Sequence, residues 1–145
     1  MPSVNWETVR RSLEHDIEVF YVKDTEINRQ READKVKTVN WIIERMQKGA
    51  SPEGTRTIPP TYTLTFGNLW VPIRGAIKIA HPFCQRCGGQ LTAEVHHIRP
   101  KSLDGSRYDP CNLVGLCEEC HQEIHRQLDY GIKETIRKSL DGVRL

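Results

Sequence analysis

The 145-residue sequence contains no long apolar run, and this absence excludes several classes of protein. A secretory signal peptide carries an apolar stretch close to the N-terminus, whereas the first 24 residues here are charged throughout. No segment approaches the roughly 20 consecutive apolar residues that a membrane-spanning helix requires. We therefore expect a protein of the cytoplasm, which would be the host cell's cytoplasm if a phage encodes it.

The sequence also lacks a strong excess of either charge. It has 21 Lys and Arg against 19 Asp and Glu, which gives a net charge of +2. Residues 1–80 carry 12 basic and 10 acidic side chains, and residues 81–145 carry 9 of each. Proteins that bind nucleic acid are usually more basic than this, so the overall charge does not by itself favour DNA as a partner.

The hydrophobic fraction of 37% and the charged fraction of 28% are typical of a globular protein with a modest core. Residues 5–22 and residues 25–48 each place apolar side chains three or four positions apart, which predicts two helices. Asp24 is a candidate N-cap of the second helix, and residues 49–60, rich in Gly and Pro, predict a loop or linker. Apolar helical stripes of this kind serve as core or as dimer contacts more often than as DNA readers, so a homodimer is one expectation.

Residues 61–66 (TYTLTF) and 69–74 (LWVPIR) flank a Gly-Asn pair, and the first of them alternates apolar residues with threonines. Two such runs around a two-residue turn predict a β-hairpin. Pro72 has no backbone N–H to donate, which favours an edge position for the second strand.

From about residue 80 the composition shifts towards cysteine, histidine and glycine. The pattern there predicts a strand, a loop, a second strand, a helix and a final helix after Gly131. These elements are placed at 91–98, 100–110, 112–117, 118–128 and 133–140. The whole sequence therefore predicts an α+β fold, with an N-terminal extension of unknown function at 1–80 and a second domain at 81–145.

Four of the five cysteines form two Cys-x-x-Cys pairs, Cys84 with Cys87 and Cys117 with Cys120. Two residues between thiolates let one chain reversal present both sulfurs to a metal, and four thiolates make a closed tetrahedral site. In a chain without an export signal such pairs predict structural zinc rather than disulfides. The alternative is four buried or disulfide-linked cysteines. Cys111 is left over and is expected to be a small buried residue.

Four of the six histidines form a second cluster, His96 with His97 and His121 with His125. Neighbours in a strand point to opposite faces, so His96 and His97 are expected to do different jobs. Positions four apart on a helix share a face, so His121 and His125 can bind one ion together. One strand histidine would supply a third ligand and the other could act as a base. Three protein ligands with open positions are typical of a catalytic metal.

These residues, in this order, resemble the zinc-stapled branch of the HNH (ββα-metal) nuclease family. The resemblance covers residues 81–130 and includes the Glu94–Ile98 strand, Pro100, Asn112-Leu113 and the His-x-x-x-His ending. It implies a treble-clef-like ββα-metal core, here preceded by the helical segment and the hairpin. Residues 1–80 match no pattern of this family.

The resemblance also implies roles for individual residues. His97 corresponds to the general base, and His96, His121 and His125 correspond to ligands of a catalytic divalent metal. Asn112 corresponds to the residue that fixes the loop and orients the base.

The implied reaction is hydrolysis of a DNA phosphodiester bond that leaves a 5′-phosphate and a 3′-hydroxyl, and the expected substrate is double-stranded DNA. Mg²⁺, Mn²⁺, Ni²⁺ or Zn²⁺ are the candidate catalytic ions, beside the structural Zn²⁺. Four cations flank the motif and are candidates for contacts with substrate phosphates. They are Arg99, Lys101, Arg107 and Arg126. The main alternative is a non-catalytic zinc module that binds nucleic acid or protein, and a second is a metallohydrolase acting on another phosphoester.

Overall fold

The computed structural model describes residues 3–19, 21, 23, 25–60 and 68–126 of the chain. Within these ranges the helices and strands form an α+β fold, as the sequence predicts. The elements are α1 (Trp6–Asp16), α2 (Thr25–Lys48), α3 (Trp70–Ala80), β1 (Glu94–His97), β2 (Leu113–Leu116) and α4, which covers 118–126. Three predictions lie outside the described residues. They are the Asp24 cap, the strand at 61–66 and the final helix at 133–140.

Helix α1 begins directly after its N-cap, Asn5, whose side chain accepts a hydrogen bond from the Thr8 N–H. Its buried face is formed by Val9 and Leu13. The prediction that this helix continues to residue 22 is wrong, since the backbone becomes extended at Ile17. Ile17 is nonetheless buried, so its side chain is part of the core although the helix ends before it.

Helix α2 has the predicted bounds, Thr25–Lys48. Its C-terminal half contributes Val39, Ile42 and Met46 to the core, at spacings that keep them on one face. The N–H of Gly49 donates to the carbonyls of Arg45 and Met46, which closes the last turn.

The prediction of a second hairpin strand at 69–74 is wrong, because residues 70–80 form helix α3. The buried residues Leu69, Ile73, Ala76, Ile77 and Ala80 recur every three or four positions, which is a helical period. Pro72 fits this helix because it lies in the first turn, where the backbone N–H groups have no intrahelical acceptor.

Strands β1 and β2 form a two-stranded antiparallel sheet in which His96 pairs with Val114 and His97 with Leu113. The order of strand, loop, strand and helix is therefore confirmed. One hydrophobic core joins α1, α2 and α3 to this sheet, through residues such as Ile73, Val95 and Leu113. The core thus contains residues from both sides of position 80, and the domain boundary there stays a prediction.

The loop at 49–60 packs against the segment between β1 and β2 and is hydrogen-bonded to it. The Ser51 N–H donates to the Cys111 carbonyl at 2.7 Å, and the Ser106 N–H donates to the Thr55 carbonyl at 2.8 Å. Among the described residues, none of the helices has both the length and the apolar character that crossing a membrane demands.

Candidate metal centres and catalytic site

The four cysteines predicted to bind zinc lie together, with all four sulfurs within 4.8 Å of one another. A tetrahedral site with Zn–S bonds of about 2.3 Å places its sulfurs about 3.8 Å apart. The Cys87 and Cys117 sulfurs are 3.8 Å apart. Cys84, Cys117 and Cys120 are buried and Cys87 is exposed. The cluster therefore fits a closed structural zinc site.

Backbone N–H groups favour the metal-binding thiolate form at Cys84 and Cys87, whose pKa values are lowered, whereas burial raises the pKa of Cys120 to about 12. Burial raises the pKa of Cys84, but hydrogen bonds from the backbone of Cys87, Cys117 and Arg86 outweigh it, and its pKa is lowered to about 6. The Cys120 N–H also points at the Cys117 sulfur, 3.4 Å away. A thiolate is the form that a zinc ion requires.

Gln85 attaches the first cysteine pair to strand β2, and sequence reasoning missed this role. Its N–H donates to the Gly115 carbonyl at 2.9 Å, and its side-chain Oε1 accepts from the Gly115 N–H at 2.7 Å. Cys117, which supplies another sulfur of the cluster, directly follows the end of this strand. The cysteine site is therefore built directly onto the strand that pairs with the histidine strand.

Three of the predicted site histidines converge. The ligand nitrogens of His96, His121 and His125 lie within 4.8 Å of one another, and the two Nε2 atoms of His121 and His125 are 3.1 Å apart. Two imidazole nitrogens on one tetrahedral ion are about 3.3 Å apart. His121 and His125 lie on α4, one turn apart, and His96 reaches them from β1. The three nitrogens fit a single divalent ion.

The protonation of His96 suits a metal ligand. Burial, followed by the nearby charges of His121, His125 and His97, lowers the pKa of His96 to about 4. At neutral pH its ring is therefore uncharged and retains a lone pair. Neutral imidazole is the form that coordinates a metal.

His97 occupies a different environment from its neighbour, as the alternation of a strand predicts. Its Nε2 lies 3.0 Å from the backbone carbonyl of Arg107, and its ring stacks on that of Trp70 at a centroid distance of 5.0 Å. A carbonyl only accepts hydrogen bonds, so Nε2 carries the hydrogen and Nδ1 holds the lone pair. In this tautomer Nδ1 can accept a proton, as a general base must.

Asn112 is fully buried and uses its whole amide to close the loop between the two strands. Its Oδ1 accepts from the N–H groups of Arg99 (2.8 Å) and Thr55 (3.2 Å). Its Nδ2 donates to the carbonyls of Arg99 (3.1 Å) and Ser106 (2.6 Å). Asn112 contacts neither His96 nor His97 through these bonds. Its effect on His97 would pass through Ser106 to the adjacent Arg107 carbonyl.

A buried ion pair between Arg45 and Asp109 secures the same loop from helix α2, and sequence reasoning did not find it. Arg45 donates from Nε at 2.9 Å and from an Nη at 2.7 Å to the two carboxylate oxygens. Asp109 also accepts from the Thr55 hydroxyl and the Cys111 N–H. The partners are 64 residues apart in the sequence, so no local pattern indicates the pair.

The charges of this pair stabilise each other. Burial opposes ionisation of Asp109, but the hydrogen bonds from Arg45 and Thr55 outweigh it and lower the pKa of Asp109. The hydrogen bond to Asp109 in turn raises the pKa of Arg45 despite partial burial. Cys111 is buried, as expected, and its thiol donates to the Arg45 carbonyl. Burial raises the pKa of the Cys111 thiol.

The four candidate substrate cations have unequal surroundings. The Arg99 side chain donates to the Leu103 carbonyl of its own loop, and Arg126 pairs with Glu123 at 2.5 Å. Lys101 and Arg107 are exposed, and within the described part of the chain neither has a carboxylate partner. Arg107 lies over the ring of Tyr108, 5.3 Å from its centroid.

Comparison with known proteins gave one match. Residues 84–127 match the family model described as HNH endonuclease. Neither the curated proteins nor the solved structures gave a match. The matched segment contains both the cysteine cluster and the three-histidine cluster, and it indicates a nuclease in general, with nucleic acid as the substrate. The segment from residue 84 to residue 127 is therefore similar to the HNH endonuclease family, and its four cysteines are consistent with a zinc-binding branch of that family.

Proposed function

We propose that this chain is a metal-dependent endonuclease that hydrolyses phosphodiester bonds of DNA with His97 as the general base. The observation that carries the proposal is that the neighbouring residues His96 and His97 have different surroundings. His96 joins His121 and His125 in a cluster fit for one ion, whereas His97 is held apart with Nδ1 as its acceptor nitrogen.

The two clusters would hold different metals. The cysteines would hold structural Zn²⁺, because four thiolates leave no open position for a substrate. His96, His121 and His125 would hold the catalytic ion, and imidazole ligands favour a transition metal such as Mn²⁺, Ni²⁺ or Zn²⁺ over Mg²⁺. When bound, that ion supplies Lewis-acid stabilisation of the negative charge that develops on the phosphate and the leaving 3′ oxygen.

His97 would accept the proton of the attacking water on Nδ1. The water oxygen forms a bond to phosphorus, the bond from phosphorus to the 3′ oxygen breaks, and that oxygen takes a proton from solvent. The products are a 5′-phosphate and a 3′-hydroxyl. The Arg107 carbonyl keeps the hydrogen on Nε2 before the transfer and continues to accept from Nε2 in the imidazolium, which stabilises the charged form.

Asn112 would act as a positioning residue, since it contacts the backbone rather than the reacting atoms. Its bond to the Ser106 carbonyl fixes the residue that precedes Arg107, and so limits the position of the carbonyl to which His97 is bound. A shift of about 1 Å in a catalytic group can cost roughly a hundredfold in rate, so this restraint matters for the reaction.

The experiment is cleavage of supercoiled plasmid and of a matched RNA by the zinc-loaded protein with Mg²⁺, Mn²⁺, Ni²⁺ or Zn²⁺. We expect DNA cleavage that EDTA stops, and a cleavage rate at least a hundredfold lower in His97→Ala and in His125→Ala. The new 5′ ends should be labelled by polynucleotide kinase only after phosphatase has removed their phosphates. Zinc content measured on each variant shows whether the cysteine site remains loaded. Intact plasmid with every ion, and identical behaviour of His97→Ala, would establish the non-catalytic zinc module instead. Cleavage of RNA alone would contradict DNA as the substrate.

A further inference from the structure

A groove of about 350 Å³ lies outside the two metal clusters, between the loop at 55–59 and the loop at 104–108. Its lining combines charge with apolar surface. The charged and apolar residues of the lining include Arg56, Ile58, Pro59, Asp104, Arg107 and Tyr108. Neither side of the groove belongs to a helix or a strand, and Arg56 lies well before the segment that matches the nuclease family.

Hydrogen bonds fix the two loops against each other. The Ser106 N–H donates to the Thr55 carbonyl at 2.8 Å, and the Ser106 hydroxyl donates to the Thr57 carbonyl at 2.5 Å. Arg56 lies between the two threonines, and Arg107 follows Ser106. Both arginines therefore extend from backbone that is held in place, and both line the groove.

The guanidinium groups of Arg56 and Arg107 are available to a ligand. Both side chains are exposed, and among the described residues neither forms an ion pair or a side-chain hydrogen bond. The guanidinium carbon of Arg107 lies 5.3 Å from the centroid of the Tyr108 ring. Among the described residues of the lining, Asp104 is the one carboxylate beside the two arginines, so these side chains carry a net charge of +1.

The groove is joined to the catalytic site by one residue. The backbone carbonyl of Arg107 accepts from His97, while the side chain of Arg107 lines the groove. A nucleic-acid strand whose phosphate contacts the Arg107 side chain would thus lie next to the residue whose backbone carbonyl binds His97, the proposed base. Ile58, with 68% of its surface exposed, offers an apolar wall suited to the sugars.

We infer that the Arg56–Arg107 groove binds the phosphodiester backbone of DNA next to the bond that is cut. The inference rests on the proposed nuclease function for the identity of the ligand. Arg56 and Arg107 would each contact a phosphate, and Asp104 would weaken binding by repelling it. The groove gives residues outside the family motif a direct part in holding the substrate.

The test measures binding of a fluorescent DNA duplex by anisotropy at several salt concentrations. The zinc-loaded protein carries His125→Ala in every arm, which prevents cleavage without changing the groove. One phosphate contact contributes about 0.9 to the slope of log affinity against log salt, or roughly eightfold in affinity at 0.1 M salt. We expect Arg56→Ala and Arg107→Ala each to weaken binding by about that factor and to reduce the slope by about 0.9.

Asp104→Asn should change affinity in the opposite direction. Asp104 has a φ of 61°, a conformation that asparagine also tolerates, so this substitution removes charge without adding backbone strain. We expect it to tighten binding severalfold. Arg11→Ala is the matched control, because Arg11 is an exposed arginine on α1 that pairs with Glu7. It should leave affinity and salt slope unchanged.

The inference is overturned if Arg56→Ala binds the duplex with the affinity and salt slope of the parent. It is also overturned if Asp104→Asn weakens binding, or if Arg11→Ala weakens it as much as Arg56→Ala does. These outcomes are separate from those of the proposed nuclease function. A protein that never cuts DNA can still show the expected slopes, and a protein that cuts DNA can still bind it without Arg56.

Discussion

The imidazole of His97 lies flat against the indole of Trp70, with ring centroids 5.0 Å apart and ring planes inclined by 19°. Trp70 is the first residue of α3, outside the segment that matches the nuclease family. The Asn68 side chain accepts from its N–H at 2.8 Å, which fixes the start of the helix. The proposed base is therefore restrained on one face by the N-terminal part of the chain and at Nε2 by the loop between the strands.

We predict that Trp70→Leu lowers kcat for DNA cleavage by roughly tenfold while KM changes by less than about twofold, because the stacked ring orients the base rather than binding substrate. Trp70→Phe keeps a flat ring and should recover most of kcat. Val71→Ala, at an exposed neighbouring position of α3, is the control and should behave as wild type. Equal kcat values for Trp70→Leu and Trp70→Phe would show that Trp70 does not position His97.

A second prediction concerns the cysteine cluster. Cys117→Ser should lose the bound zinc and lower the free energy of unfolding by more than about 4 kcal/mol, since a structural metal contributes directly to folding. Cys111→Ala is the matched control, because Cys111 is also buried but lies outside the cluster. It should keep the zinc content of the wild-type protein. Zinc content and urea unfolding measure both quantities, and a Cys117→Ser protein that keeps its zinc and its stability would contradict a structural site.

A third prediction concerns the Arg45–Asp109 pair. Asp109 is fully buried, so Asp109→Ala leaves a partly buried guanidinium without its partner and should cost roughly 3–5 kcal/mol of stability. Arg126→Ala breaks an exposed pair with Glu123 and should cost no more than about 1 kcal/mol. Urea unfolding at neutral pH measures both, and equal costs would mean that the buried pair does not hold the loop.

The pH dependence of stability tests the same pair with a defined sign. The folded pKa of Asp109 is lowered, so its contribution is complete above the unfolded pKa of about 3.9 and is lost as pH falls through the lower folded value. The difference in unfolding free energy between wild type and Asp109→Asn should therefore shrink below about pH 4. A difference that stays constant down to pH 2 would show that the Asp109 charge does not contribute.

Local patterns in the sequence predict the site better than the fold around it. Cys-x-x-Cys spacing and histidines four apart are short-range features, and the structure brings each set together. The strand prediction at 69–74 is wrong because six residues are too few to show the helical period, which is visible only across 69–80. Arg45 and Asp109 meet over 64 positions, and neither residue carries a local sign of its partner. Such contacts arise from packing of the whole chain.

The final prediction compares two glycines that share a backbone conformation but not a neighbourhood. Gly49 and Gly54 have φ values of +83° and +73°, so Ala at either position costs about 1 kcal/mol in backbone strain. A Cβ at Gly49 would meet nothing within 4 Å, whereas at Gly54 it would lie 2.4 Å from Asn112 Oδ1 and from Arg99 Cβ. Gly54→Ala must therefore displace the Asn112 amide that closes the loop between the two strands. We expect it to cost at least about 2 kcal/mol more than Gly49→Ala and to reduce kcat where Gly49→Ala does not. Equal unfolding free energies and equal kcat would mean that the loop at 49–60 can move away from Asn112 without consequence for the base.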